Sequence, residues 1–205
     1  MTIRPGDGWG ETMSAPPETR WFDSEAELCA FLDASTEDVP VGLTGGDLHH
    51  VTGQPTATVR VLLDEMVVRY VPVGSGTTRT TRALSFVTVG RWRSQREFSV
   101  VSNSGIVNGS EWFARSHPND GKVESATFLS TLGLRQRTMA MRRITRGEAF
   151  THPQITQGSV ATWDWSGTRS RLIVDSRSLG QVTTVSIQLR PDALSVYVGA
   201  PSTAR

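Results

Sequence analysis

One lysine, Lys122, and one cysteine, Cys29, are all the chain contains of either residue. A lone cysteine excludes an intrachain disulfide and fits a reducing compartment. With lysine nearly absent, positive charge falls on arginine, whose planar fork suits bidentate contacts to phosphate or carboxylate. A biased genome composition produces the same skew. No apolar run approaches the roughly 20 residues of a membrane-spanning helix. The N-terminus offers Arg4 and then proline, glycine and acids without an apolar stretch, so no signal peptide is expected and the cytoplasm is the expected location. A formal charge of +1 implies no obligate nucleic-acid partner, and Trp92, Trp112, Trp163 and Trp165 form no recognisable base-stacking pattern.

The near-zero net charge hides a division. Residues 21–65 carry nine acids against one arginine, a net of −8, and residues 66–205 carry eighteen bases against eight acids, a net of +10. The two parts can attract each other within one chain or across a homodimer. The arginines crowd at 79–96 and at 135–146, where a solvated face, a phosphate headgroup or an anionic membrane surface would each suit them.

Residues 1–20, rich in glycine, proline and threonine, are expected to form a disordered tail. Ser24 followed by Glu27 reads as a capping box, and Leu28, Phe31 and Leu32 then share a helical face, predicting a helix over about 24–34. Val39 to Leu43 predicts a short strand. From residue 57 the pattern is β: "TATVRVLLDEMVVRYVPVG" predicts two strands with a turn or bulge at Asp64-Glu65, and further strands follow to the end. Leu129 to Ile144 predicts the one later helix, with Leu132, Leu134, Met139, Met141 and Ile144 as its apolar members. At least eight strands and two helices predict a mainly β fold, a sandwich or open barrel with one N-terminal and one inserted helix. The expected organisation is a tail (1–20), a helical and linker segment (21–53) and a β-sandwich domain (54–201).

"PVGLTGGDLHHVTG", residues 40–53, combines close-packing glycines, an aspartate and two histidines. Asp47 with His49-His50 would still need two ligands at suitable geometry, and His117 and His152 stand at no metal-site spacing, so no metal is expected. Gly45-Gly46-Asp47 is a weak phosphate signal without the strand–turn–helix context of a phosphate loop. No Gly-x-Ser-x-Gly occurs to mark a hydrolase nucleophile. Asn119-Asp120-Gly121-Lys122 is a tight turn on its own chemistry.

Five stretches, in order, carry a resemblance: Asn103 to Gly109; Pro118-Asn119-Asp120-Gly121-Lys122-Val123; Gly147 to Pro153; Ile173-Val174-Asp175-Ser176-Arg177; and Pro191-Asp192-Ala193-Leu194. Together, over about residues 55–200, they resemble the C-terminal domain of the bacterial diacylglycerol and lipid kinases, the superfamily that includes sphingosine kinases. The resemblance implies a β-sandwich. It also makes "LTGGDLHHVTG" similar to the family's linker from its nucleotide-binding domain, with Thr44, Gly45, Gly46, Asp47 and Gly53 as the motif. Gly46 stands at the family's Asn and His49-His50 at its Ala-Arg. The family's Gly-Gly-Asp-Gly-Thr nucleotide loop is absent before Pro40. At the family's Asp-Gly-Glu hairpin this chain has Asp175-Ser176-Arg177, an arginine where an acid is expected.

The expectation is therefore a stand-alone, non-catalytic relative that binds a lipid or phosphorylated ligand. Asn103, Asn108, Asp120 and His152 would line its cleft, with arginines such as Arg143 and Arg146 at the rim. Two alternatives stay open. One is a structural or dimerisation protein. The other is a lipid kinase component whose ATP site comes from a separate subunit, with Asp120 and Asp175 as its catalytic acids. No cofactor is expected under the first reading; Mg²⁺ and ATP belong to the kinase alternative.

Overall fold

The β-branched and aromatic residues that dominate the chain after Val59 form, in the computed structural model, a hydrogen-bonded sheet that doubles over itself. The structure describes residues 9–53, 55, 57–148 and 151–199. In chain order the elements are β1 (Glu11–Thr12), β2 (Arg20–Phe22), α1 (Glu25–Ala34), β3 (Val41–Leu43), α2 (Gly46–Val51), β4 (Val59–Pro72), β5 (Arg79–Ala83), β6 (Phe86–Val89), β7 (Phe98–Ser102), β8 (Ile106–Val107), β9 (Ser110–Glu111), β10 (Val123–Phe128), α3 (Leu134–Ile144), β11 (Ile155–Val160), β12 (Thr162–Val174) and β13 (Arg177–Val198).

The main path runs β1-β4-β13-β12-β6-β7-β10-β11, all antiparallel. β5 is added beside β4, and β3 and β2 join the end of β13 in parallel. Met66, Val68 and Ile187 from β4 and β13 share one core with Val89, Val101 and Val123 from β6, β7 and β10. The two ends of the path thus face each other across buried apolar side chains. This is the mainly β sandwich with an N-terminal and an inserted helix that the sequence predicts.

α1 starts as its sequence dictates. The Glu27 N–H donates to Ser24 Oγ at 3.4 Å, and Glu27 Oε2 accepts from the Asp23 N–H at 3.2 Å. Leu28 and Cys29 are fully buried, in a second core with Leu43, Leu48, Val61 and Val198. The N-terminal segment packs against β3, β4 and the end of β13. Its charge is matched there as well: Asp33 lies 3.3 Å from Arg82 and 3.6 Å from Arg177, and buried Glu65 lies 3.0 Å from Arg82 and 3.1 Å from Arg190.

Three expectations need correction. The tail expected over 1–20 is ordered from residue 9: β1 pairs with β4, β2 pairs with β3, and Trp9 Nε1 donates to the Leu62 carbonyl at 3.3 Å. Residues 1–8 lie outside the described residues. Asp64-Glu65 does not turn the chain, because β4 runs straight through it. The irregularity sits on the partner strand, where Pro191, Asp192 and Ala193 bulge between the pairs Glu65↔Arg190 and Leu63↔Leu194. The later helix begins at Leu134, and its buried stripe is Arg137, Ala140 and Ile144, while Leu134 and Met139 are exposed. Arg137 belongs inside because its guanidinium meets the carbonyls of Leu132, Leu129 and Phe128.

Candidate functional site

The β12–β13 hairpin turns in two residues, Asp175 and Ser176, both at positive φ (43° and 66°), as a tight hairpin of right-handed twist requires. That turn drives the Asp175 carboxylate into the protein. Oδ2 accepts from the Leu84 N–H at 2.7 Å, and Oδ1 accepts from the N–H groups of Ser85 and Phe86 at 3.0 and 2.8 Å. The Cys29 thiol donates to Oδ2 at 3.5 Å. Burial raises the Asp175 pKa, and it raises that of Cys29 too. Asp175 is thus a structural anchor for the connection between β5 and β6. Arg177 follows it, with Nη2 donating to the Arg82 carbonyl at 2.7 Å and Nη1 facing Asp33.

The glycine segment forms a second anchor. Gly45 caps α2, a helix of six residues, and Gly46 sits at φ +91°. The space a side chain would fill at Gly46 is held by the Glu25 carboxylate, whose Oε1 accepts from the Leu48 N–H at 2.7 Å. The first turn of α2 therefore already has a carboxyl group accepting its free N–H, and that group is the protein's own. Asp47 points the other way and grips the turn between β8 and β9. Its oxygens accept from the N–H groups of Asn108 (3.0 Å) and Gly109 (2.8 Å) and from the Ser85 hydroxyl (3.0 Å). Thr44 Oγ1 donates to Asp23 at 2.7 Å, and Gly53 ends the helix at φ +77°. The segment that raised the question of a phosphate cradle is a hub of internal carboxylates.

What the hub holds is a pocket. A cavity of about 590 Å³ opens where β6, β7 and β12 meet α3 and the β8–β9 turn. Phe98, Val107, Trp112, Met141 and Ile173 make its apolar wall, and Trp92, Arg91, Arg93 and Arg171 line it as well. The wall is an aromatic cluster: Phe98 and Trp112 meet edge-on at 6.4 Å, and Trp112 meets Phe128 at 6.2 Å. The Arg93 guanidinium lies over the Trp92 ring at 4.8 Å. Asn108 lines the pocket, and its Oδ1 accepts from the Ser176 hydroxyl at 2.9 Å. Six apolar and six polar side chains line this cavity, whose size falls in the range of small-molecule sites.

The other expected site residues lie elsewhere. Asn103 is buried; its amide donates to the carbonyls of Asp64 and Leu84 at 2.9 and 3.2 Å, and its Oδ1 has no hydrogen-bond partner among the described residues. Asp120 sits in the 118–121 turn, where its carboxylate accepts from the Lys122 N–H at 3.0 Å and desolvation raises its pKa. The buried acid of that corner is Asp64, which accepts from the N–H groups of Gly121 and Asp192. His152 Nδ1 accepts from the Gln154 N–H at 3.1 Å in the turn before β11. Arg143 and Arg146 face Glu148 at 3.7 and 4.0 Å and do not line the pocket. Among the described residues no group of three or more His, Cys, Asp and Glu side chains could hold a metal ion. The sequence argument missed the aromatic wall because its members come from five separate segments with no shared spacing. Phe98 and Trp112, fourteen positions apart, were the available signal.

No protein-family model and no curated protein matches the chain. Among solved structures it is similar to a diacylglycerol kinase of Bacillus anthracis strain Sterne, at a TM-score of 0.56 and 13% identity over 79% of this chain and 68% of that one. Two further structures, of proteins assigned as diacylglycerol kinases of the same strain, match at a TM-score of 0.64. One is 9% identical over 87% of this chain and 76% of its own, the other 10% identical over 91% and 80%. At such identities the likeness establishes a shared fold, that of the bacterial diacylglycerol and lipid kinases.

Proposed function

We propose that this chain uses the diacylglycerol-kinase fold without its chemistry, as a non-catalytic protein that binds a lipid-like amphiphile in the pocket between Trp92 and Trp112. The pocket carries the reading: its aromatic and aliphatic side chains suit an alkyl chain, and the arginine, asparagine and serine side chains that also line it suit a headgroup. The hairpin supports the non-catalytic half. Phosphoryl transfer needs an acid or base free to reach the nucleophile and charge neutralisation around the transferred group. Asp175 is 3% exposed and engaged by three backbone N–H groups, and Arg177 is tied to Asp33. Asp120 and Asp175 share no hydrogen-bond partner.

Calorimetric titration with 1-dodecanoylglycerol below its micellar concentration tests the reading. Saturable binding that is lost in Met141→Asp, with the circular dichroism spectrum unchanged, is the expected result. Absence of binding to the native chain overturns it. Transfer of phosphate from Mg²⁺-ATP to the glyceride by the purified chain overturns the non-catalytic half.

A further inference from the structure

Beside the aromatic pocket runs an open groove of about 780 Å³ lined by four arginines, Arg91, Arg96, Arg169 and Arg171. Gly90, Arg91 and Arg171 line both cavities, so the two spaces adjoin at these arginines. The one carboxylate in the groove, Glu97, accepts from Trp165 Nε1 at 3.0 Å. Arg169 donates to Gln181. Among the described residues, no carboxylate lies within ion-pair distance of any of the four. The arginines beside α1, by contrast, are matched to Asp33 and Glu65.

We propose that the groove is a phosphate site and that the ligand of the adjoining pocket is a phosphate-bearing amphiphile, held head in the groove and chain in the pocket. This rests on the pocket being an amphiphile site, and it names the headgroup. Four like charges lining one groove repel one another. An anion placed among them relieves that repulsion. Guanidinium forks match phosphate oxygens two at a time, and a phosphomonoester brings nearly two negative charges. A neutral glyceride would offer Arg91 and Arg171 hydroxyl and ester acceptors but no opposite charge. The turn that presents Arg91 and Arg96 is tightly built: Gly90 lies at φ +97°, where a β-carbon would stand 2.6 Å from the Glu97 carbonyl.

The test compares four probes by calorimetry on the whole chain: 1-dodecanoylglycerol 3-phosphate, 1-dodecanoylglycerol, glycerol 3-phosphate, and vesicles of phosphatidylcholine with phosphatidic acid. The phosphorylated monoacyl probe is expected to bind at least about tenfold more tightly than its neutral counterpart. Arg91→Gln/Arg171→Gln removes that preference, bringing the phosphorylated probe to the affinity of its neutral counterpart. Arg91→Gln alone, at an exposed turn position, removes part of it. Vesicle binding by the native chain, reduced in the double variant, places the same phosphate chemistry at a bilayer. Equal affinity for the phosphorylated and neutral monoacyl probes overturns the inference and leaves the pocket reading standing. Glycerol 3-phosphate binding as tightly as the acylated form overturns the inference and the pocket reading together, since the acyl chain would then contribute nothing. Binding of neither acyl probe overturns both.

Discussion

Glu25 Oε1 accepts the backbone N–H of Leu48 at 2.7 Å, joining the first turn of α1 to the first turn of α2 across 23 residues of sequence. Burial, with Asp175 and Asp47 nearby, raises the Glu25 pKa to about 7 from an ordinary value of 4.5. Between those two values the folded chain holds a proton that the unfolded chain has released. Stability is therefore full below about pH 4.5, falls as the pH rises toward 7, and levels off beyond. The loss is on the order of a few kcal/mol. Denaturant unfolding at pH 5 and pH 8 should give the higher midpoint at pH 5. Glu25→Gln, which keeps the acceptor and cannot ionise, should flatten the difference. The raised pKa of Asp175 acts in the same direction. A midpoint that rises from pH 5 to pH 8 would contradict the assignment.

Gly46 and Gly53 both lie at positive φ, but they predict different costs. A β-carbon at Gly46 would fall 2.2 Å from Glu25 Oε2, whereas at Gly53 nothing lies within 4 Å. Gly53→Ala should cost about 1 kcal/mol, the strain of the left-handed backbone alone. Gly46→Ala adds the expulsion of a buried carboxylate and should exceed about 2 kcal/mol. Urea midpoints of the two variants, measured side by side, check the ordering.

Arg177→Glu restores the acid that the kinase pattern expects, and it should not restore a kinase. The new carboxylate would face Asp33 and the Arg82 carbonyl in place of a partly buried cation. A loss of about 3 kcal/mol is expected, at the low end for breaking a buried pair. No ATP-dependent phosphorylation of a glyceride should appear. Phosphate transfer by this variant would mean that the hairpin is one substitution from a working site.

Arg137→Met should loosen α3. The guanidinium is fully buried and donates to three carbonyls just ahead of the helix, of which that of Leu129 also accepts from the Leu132 N–H. A cost of about 2–4 kcal/mol is expected from the lost charge-assisted hydrogen bonds. Because Met141 rides on the same helix, affinity for dodecanoylglycerol should fall with it. Limited proteolysis between 129 and 148, run beside the titration, would show whether helix loosening and weaker binding go together.

Local sequence rules determined much of this chain. The Ser24–Glu27 cap, the apolar face of α1 and the alternation of β-branched residues act over a few positions, and each is legible without the fold. The mainly β sandwich with helices at its start and within it followed from them. Tertiary structure alone decided where buried polar groups find partners. Asp175 meets the amides of residues 84–86 about ninety positions away, and Asp47 meets those of Asn108 and Gly109 about sixty away. A carboxylate in a sequence looks the same whether it serves a ligand or three backbone N–H groups; only the geometry of its donors separates the two. The pocket is of the same kind. Phe98, Trp112, Met141 and Ile173 become one wall only when β7, the segment after β9, α3 and β12 are brought together, because apolar burial is set by proximity in space and carries no periodicity along the chain.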